Sequence, residues 1–171
     1  TYANVENYRR ELDLDTAVAS VDFSASGVNF RREVLASAPD QVIIVRLTAD
    51  KPGHIHFTAG MDTPQKNSAV SIERTNTLVL SGVGGEMRGI KGVVKFQARV
   101  QIVPEGGTII ATSNKVTVAN ANAATLYIAA CLFTAHIFRI AGASPILSIL
   151  IFAALLFHPA QFPMRVIRDN I

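Results

Sequence analysis

Hydrophobic and polar residues alternate with a period of two along much of the first two thirds of the chain, the pattern of half-buried β-strands. In Gly92–Val103, Val94, Phe96, Ala98, Val100 and Ile102 fall on one face, with Lys95, Gln97, Arg99 and Gln101 on the other. A helix would scatter those charges around its circumference, whereas a strand with one wet and one buried face explains the spacing directly. Val28, Phe30, Arg32 and Val34 alternate in the same way against Asn29, Arg31 and Glu33, with Arg32 as the exception. Gln41–Thr48 and Thr77–Leu80 are rich in β-branched residues, and Thr108–Thr112, Lys115–Val118 and Ala124–Ala130 add further strands. Turn chemistry separates these runs at Ser24–Gly27, Asp50–Gly53 and Pro104–Gly107. The last of these predicts a hairpin that joins a long strand to a short one. Seven or more short strands at about 8–12 residue spacing predict an all-β, antiparallel sandwich.

That pattern stops near residue 130, and the charge distribution shows the same break. Of 29 charged residues in the 171-residue chain, 25 lie in residues 1–115, and residues 116–171 hold only Arg139, Arg165, Arg168 and Asp169. The low overall charge, 17%, is therefore an average over two unlike pieces: residues 1–130, a partial β-sandwich, and residues 131–171, a hydrophobic tail expected to be helical. Cys131 is the only cysteine, which excludes an intrachain disulfide and a cysteine-based zinc site. A net charge of +3 gives no argument for a nucleic-acid partner. The chain starts at Thr1 and shows no basic segment leading into an apolar one, so it reads as a processed or excised fragment without a visible signal peptide.

Three clusters invite a chemical reading. Glu11, Asp13 and Asp15 alternate in ELDLD. On one strand, neighbours in that series would lie about 6.6 Å apart on a shared face, inside the roughly 6.5–9.5 Å separation of an inverting glycosidase pair. Such a pair must flank a sugar rather than line one strand, so a solvated strand face is the plainer reading. His54 and His56 form H-x-H, a spacing able to chelate a metal with Asp62 as a third ligand. No further ligand cluster lies nearby, and a half-exposed histidine pair is the plainer reading. The stretch Gly82–Gly89 (GVGGEMRG) lacks the G-K-[ST] ending of a phosphate loop and misses G-x-G-x-x-G at Met87, so it reads as a loop between strands. The residues thus give an all-β domain with no catalytic residue, no cofactor site and no metal site.

The order of several motifs is more specific. Tyr8–Leu14 (YRRELDL) leads into Thr16–Ala19 (TAVA), then Gly27–Leu35 (GVNFRREVL), Ala36–Asp40 (ASAPD) and Val42–Gly53 (VIIVRLTADKPG). This succession resembles the N-terminal domain of glycoside hydrolase family 95, the α-L-fucosidase family. Gly106-Gly107 and Val118–Ala130 look like later strands of that domain, so the resemblance covers roughly residues 2–130. It implies a β-supersandwich that packs on a separate (α/α)6 barrel, with inverting hydrolysis of α-L-fucosides carried out by the barrel's residues. None of the barrel is in this sequence, so the ELDLD carboxylates take no catalytic role from the resemblance. His54 and His56 stand where the family pattern is closer to I-x-F. The resemblance also implies a periplasmic or secreted setting.

After Ala130 the resemblance ends and the chain runs into CLFTAHIFRIAGASPILSILIFAALLF. Ile140–Phe157 carries no charge and reaches the lower limit for crossing a bilayer, with Arg165 and Arg168 as a positive flank. A membrane helix, a non-native tail from a shifted reading frame, and a soluble helix covering a sheet edge all fit these residues. Two functions follow as expectations. The first is the non-catalytic N-terminal sandwich of an α-L-fucosidase-type hydrolase, whose partner is the missing barrel. The second is a carbohydrate-binding or adhesion module tethered to a membrane through 140–157. The absence of tryptophan, with three tyrosines, counts against the second, because sugar faces stack on such rings.

Overall fold

A computed structural model describes residues 4–86, 88–133 and 167–168. In chain order the strands are β1 (Glu6–Asp13), β2 (Val18–Ala25), β3 (Val28–Ser37), β4 (Val42–Ala49), β5 (Ile55–Gly60) and β6 (Ser68–Glu73). They continue with β7 (Thr77–Val83), β8 (Lys95–Glu105), β9 (Thr108–Thr112), β10 (Lys115–Ala121), β11 (Ala123–Phe133) and the two-residue β12 (Ile167–Arg168). Among the described residues there is no helix, and the expected apolar helix at 140–157 lies outside them. The predicted strands all form, with ends that differ by a few residues from the periodicity, as strand ends commonly do.

Two antiparallel sheets result. The larger runs β1-β2-β3-β4-β11-β8-β7-β6, and the smaller β12-β5-β10-β9. The large sheet is two meanders, β1–β4 and β6–β8, welded by β11. That strand pairs with β4 through Ala123↔Thr48 to Ile128↔Ile43 and with β8 through Ala123↔Glu105 to Phe133↔Lys95. Inserting β11 between the meanders joins strands distant in sequence, a step that no local pattern encodes.

The core lies between the layers, and the alternation explains who enters it. Leu78, Val100, Ile102 and Leu126 from the large sheet are fully buried against Val116 and Val118 of β10 and Phe57 of β5. Alternate residues of the large sheet face away from this core, among them Gln101 and Tyr127, which lie opposite each other on β8 and β11. The Arg32 exception has a specific answer. Its guanidinium lies 5.4 Å from the centroid of the Phe23 ring, which itself stacks on Phe30 at 5.2 Å. A cation over a ring face keeps an arginine on an apolar surface without stranding its charge.

The Pro104–Gly107 turn departs from expectation. It does not close a hairpin, because β8 pairs with β7 and β11 in the large sheet while β9 pairs with β10 in the small one. Gly106 and Gly107, at φ +73° and +70°, instead turn a corner from one layer to the other. A Cβ on Gly107 would sit 2.3 Å from the Ala119 carbonyl, so both its backbone twist and its close approach require glycine. The chain returns through the single residue Asn122. Its backbone N–H donates to the Glu105 carbonyl at 2.8 Å, and its side-chain oxygen accepts from the Gly53 N–H at 2.9 Å. One asparagine thus ties together three loops at this end of the sandwich.

Candidate functional site

The ELDLD carboxylates do not share one strand face. Glu11 and Asp13 belong to β1, but Asp15 lies in the β1–β2 turn. Asp13 folds its carboxylate onto that turn, accepting from the backbone N–H of Asp15 at 2.9 Å and of Thr16 at 3.3 Å. The Thr16 hydroxyl and then these backbone amides hold the Asp13 carboxyl below its ordinary range. Glu11 pairs with Arg9 at 2.8 Å on the solvent side. One carboxylate closes a turn and another sits in a surface ion pair, so no acid–base couple is assembled.

The histidine pair is also divided. His54 precedes β5 and is exposed, while His56 lies in β5. Its Nδ1 accepts from the Asn120 backbone N–H at 3.3 Å, where the β5–β10 register shifts between Val118 and Ala121. This ring nitrogen serves a bulge. Among the described residues, no group of three or more His, Cys, Asp or Glu side chains could hold a metal ion. The glycine-rich stretch spans the end of β7 and the connection to β8, as the sequence indicates. Gly82 is there for packing: a Cβ on it would lie 2.5 Å from the Phe96 ring and 2.7 Å from the Asn67 carbonyl.

A polar groove does form at one end of the large sheet, and it was not legible in the sequence. It measures about 470 Å³, and its polar lining includes Asn7, Asp22, Ser24, Asn29, Arg31 and Asp50. Strand register brings them together: Asp22 lies opposite Arg31 and Ser24 opposite Asn29 on β2 and β3. Asn7, held at φ +53° in the irregular part of β1, donates to Ser24 Oγ at 3.2 Å. Ser24 Oγ donates to Asn29 Oδ1 at 2.7 Å, and Asn29 gives its backbone N–H and side-chain amide to the two Asp50 oxygens at 3.0 and 2.7 Å. The Asn29 backbone bond is the main reason the Asp50 carboxyl sits below its ordinary range. Arg31 bonds Glu33 at 3.1 Å and Asp22 at 3.2 Å; the Glu33 bond first, and the Asp22 charge next, hold its guanidinium more firmly protonated.

These groups largely satisfy one another, and the network fastens the β2–β3 turn to the end of β4. Asp22 and Asp50 line the groove, and a carboxylate can accept more hydrogen bonds than these two receive from Arg31 and Asn29. No nucleophile with an adjacent base stands among them. The signal in the sequence was the placement of the SASG and DKPG turns before β3 and after β4, but only the register shows that they meet.

A second ion-paired group crosses the weld at β11. Arg46 donates to Glu105 at 2.7 Å and to Thr125 Oγ1 at 3.0 Å. The Arg46 bond, reinforced by its charge, lowers the Glu105 pKa, and the same Glu105 bond raises that of Arg46.

Among the described residues the fold is a two-layer antiparallel β-sandwich, and that is the class of protein it defines. This chain belongs to the family described as glycosyl hydrolase family 65, N-terminal domain, which matches residues 1–131. The motif succession resembles the family 95 domain; the matched family carries the number 65, and the relatives carry the fucosidase name. The chain is 43% identical over 76 residues to Alpha-L-fucosidase 2 of Arabidopsis thaliana, covering 44% of this chain and 9% of that protein. It is 30% identical over 107 residues to "Probable alpha-fucosidase A" of Aspergillus niger, covering 62% of this chain and 13% of that protein. The chain therefore matches only a small part of the length of either curated relative. A solved structure assigned as a kojibiose phosphorylase from human microbiome shares the fold, with a TM-score of 0.50 and 11% identity over 76% of this chain and 20% of that one.

Proposed function

We propose that this chain is the non-catalytic N-terminal sandwich of an α-L-fucosidase-type hydrolase of family 95, acting in the degradation of fucosylated carbohydrate. Catalysis would reside in an (α/α)6 barrel outside these 171 residues. The observation that carries the reading is the 43% identity over 76 residues to a plant α-L-fucosidase. The geometry supports the non-catalytic half of it. Glu11 and Asp13 are engaged by Arg9 and by the β1–β2 turn, and the groove carboxylates are engaged by Asn29 and Arg31.

The test has two arms with 4-nitrophenyl α-L-fucoside. The 171-residue chain should release no nitrophenol above buffer; saturable release that follows the protein through purification would overturn the non-catalytic assignment. The complete product of the gene should hydrolyse the same substrate by inversion. A product that cleaves other glycosides and leaves fucosides intact would overturn the fucosidase assignment.

A further inference from the structure

All eight residues of β1, Glu6–Asp13, are exposed, and among the described residues it pairs on one side only, with β2. An open edge of that kind presents a row of backbone donors and acceptors to any strand that can meet it. The strand and its flanks also hold a cluster of solvent-facing apolar side chains. Val5, Tyr8, Leu12 and Leu14 are 46%, 58%, 61% and 83% exposed. These are four of the eleven large hydrophobics exposed among the described residues, a grouping along one edge that suits an interaction surface.

The charges say what kind of strand fits. Two copies related by a twofold axis perpendicular to the sheet pair antiparallel, and each residue meets a partner on the same face. With the axis at Arg10, Arg9 meets the partner's Glu11, and Glu11 meets the partner's Arg9, so two opposite-charge pairs form by symmetry. Both side chains lie on the face of the large sheet that carries Asp22 and Ser20, their opposite numbers on β2. Within one chain they pair at 2.8 Å while remaining 69% and 50% exposed, so both charged ends stay within reach of a partner strand and can exchange one pairing for the other. The sole like-charge contact is Arg10 with the partner's Arg10 on the axis, where long side chains can splay into solvent.

We propose that β1 is a self-recognising edge through which two copies of this chain join their large sheets, in the register centred on Arg10. Pairing is confined to the regular part of the strand by the irregularity between Glu6 and Arg9. So short a ladder gives weak, concentration-dependent association rather than a permanent dimer.

The test is sedimentation velocity of the 171-residue chain over a concentration series, with charge-swapped variants. Arg9→Glu and Glu11→Arg each create two like-charge contacts and should weaken association by on the order of tenfold. The double variant restores both pairs and should recover the parent affinity. Arg10→Thr removes the repulsion on the axis and should tighten association by several-fold. These side chains are exposed, so circular dichroism should report an unchanged fold. Monomers at every concentration, association of any order that the swaps leave unchanged, or a double variant as weak as the single ones would overturn the proposal. Weakening by Arg10→Thr would overturn the Arg10-centred register. A single variant that misfolds leaves the test standing on Arg10→Thr.

Discussion

Two adjacent residues on β11 provide the most direct test of the sandwich. Leu126 is fully buried, flanked by Val45 of β4 and Ile102 of β8, and Tyr127 on the opposite face is 41% exposed, flanked by Ile44 and Gln101. Truncating Leu126 to alanine removes about three carbons' worth of apolar burial, roughly 2–2.5 kcal/mol at ~0.8 kcal/mol per methylene. The central position of β11 limits collapse of the surrounding strands, and the residual cavity adds about 1–2 kcal/mol. Leu126→Ala should therefore destabilise the fold by about 3–4 kcal/mol. Tyr127→Ala leaves no enclosed cavity and should cost about 1 kcal/mol. The assay is urea unfolding followed by the strand band in circular dichroism, with the midpoint and slope fitted together. The contrast reads the register, because a slip of one residue would exchange the two faces. A Leu126→Ala cost below about 1 kcal/mol, or a Tyr127→Ala cost equal to it, would refute this packing of β11.

Other expectations rest on different contacts. Gly82→Ala drives a methyl into the Phe96 ring and the Asn67 carbonyl, and should cost about 1–3 kcal/mol by the same unfolding assay, with Phe96→Leu partly relieving it. Glu105 has a lowered pKa because Arg46 bonds its ionised form. Its contribution is therefore present above the ordinary glutamate pKa and fades as the pH falls through the lowered folded value. Glu105→Gln should flatten that part of the acid-side stability profile, and an unchanged profile would show that the pair is energetically silent, as exposed pairs can be. His56 accepts a backbone N–H with Nδ1, so EDTA should leave the melting temperature unchanged. A chelator-induced drop, reversed by zinc, would contradict that assignment.

Strand content and the two faces of each strand are legible in the residue pattern. Ala98, Val100 and Ile102 are buried as their alternation with Gln97, Arg99 and Gln101 requires, because a strand's side chains point to opposite sides whatever the strand pairs with. Turn positions are legible for the same local reason, since glycine, proline and asparagine set backbone angles residue by residue. The strands' partners are not legible. The PEGG segment has the composition of a hairpin turn and serves as a corner between layers, because β8 gains more by pairing with β11 along eleven residues than by folding back on the short β9. ELDLD has strand periodicity and ends in a turn at Asp15, because the Asp13 carboxylate captures two backbone donors. The groove depends on register between β1, β2, β3 and the end of β4, and Asn7 and Asn29 carry no local mark of belonging to it.

The sequence alone determined that most of the first 130 residues form strands with one apolar face, and that its motifs resemble a glycosidase accessory domain. The tertiary structure alone decided which strands meet, where the chain changes layer, and which carboxylates and histidine are engaged in holding turns. The physical reason is range. Alternation and turn propensity act over a few residues, whereas strand order and hydrogen-bond partnership are settled by burial between segments tens of residues apart.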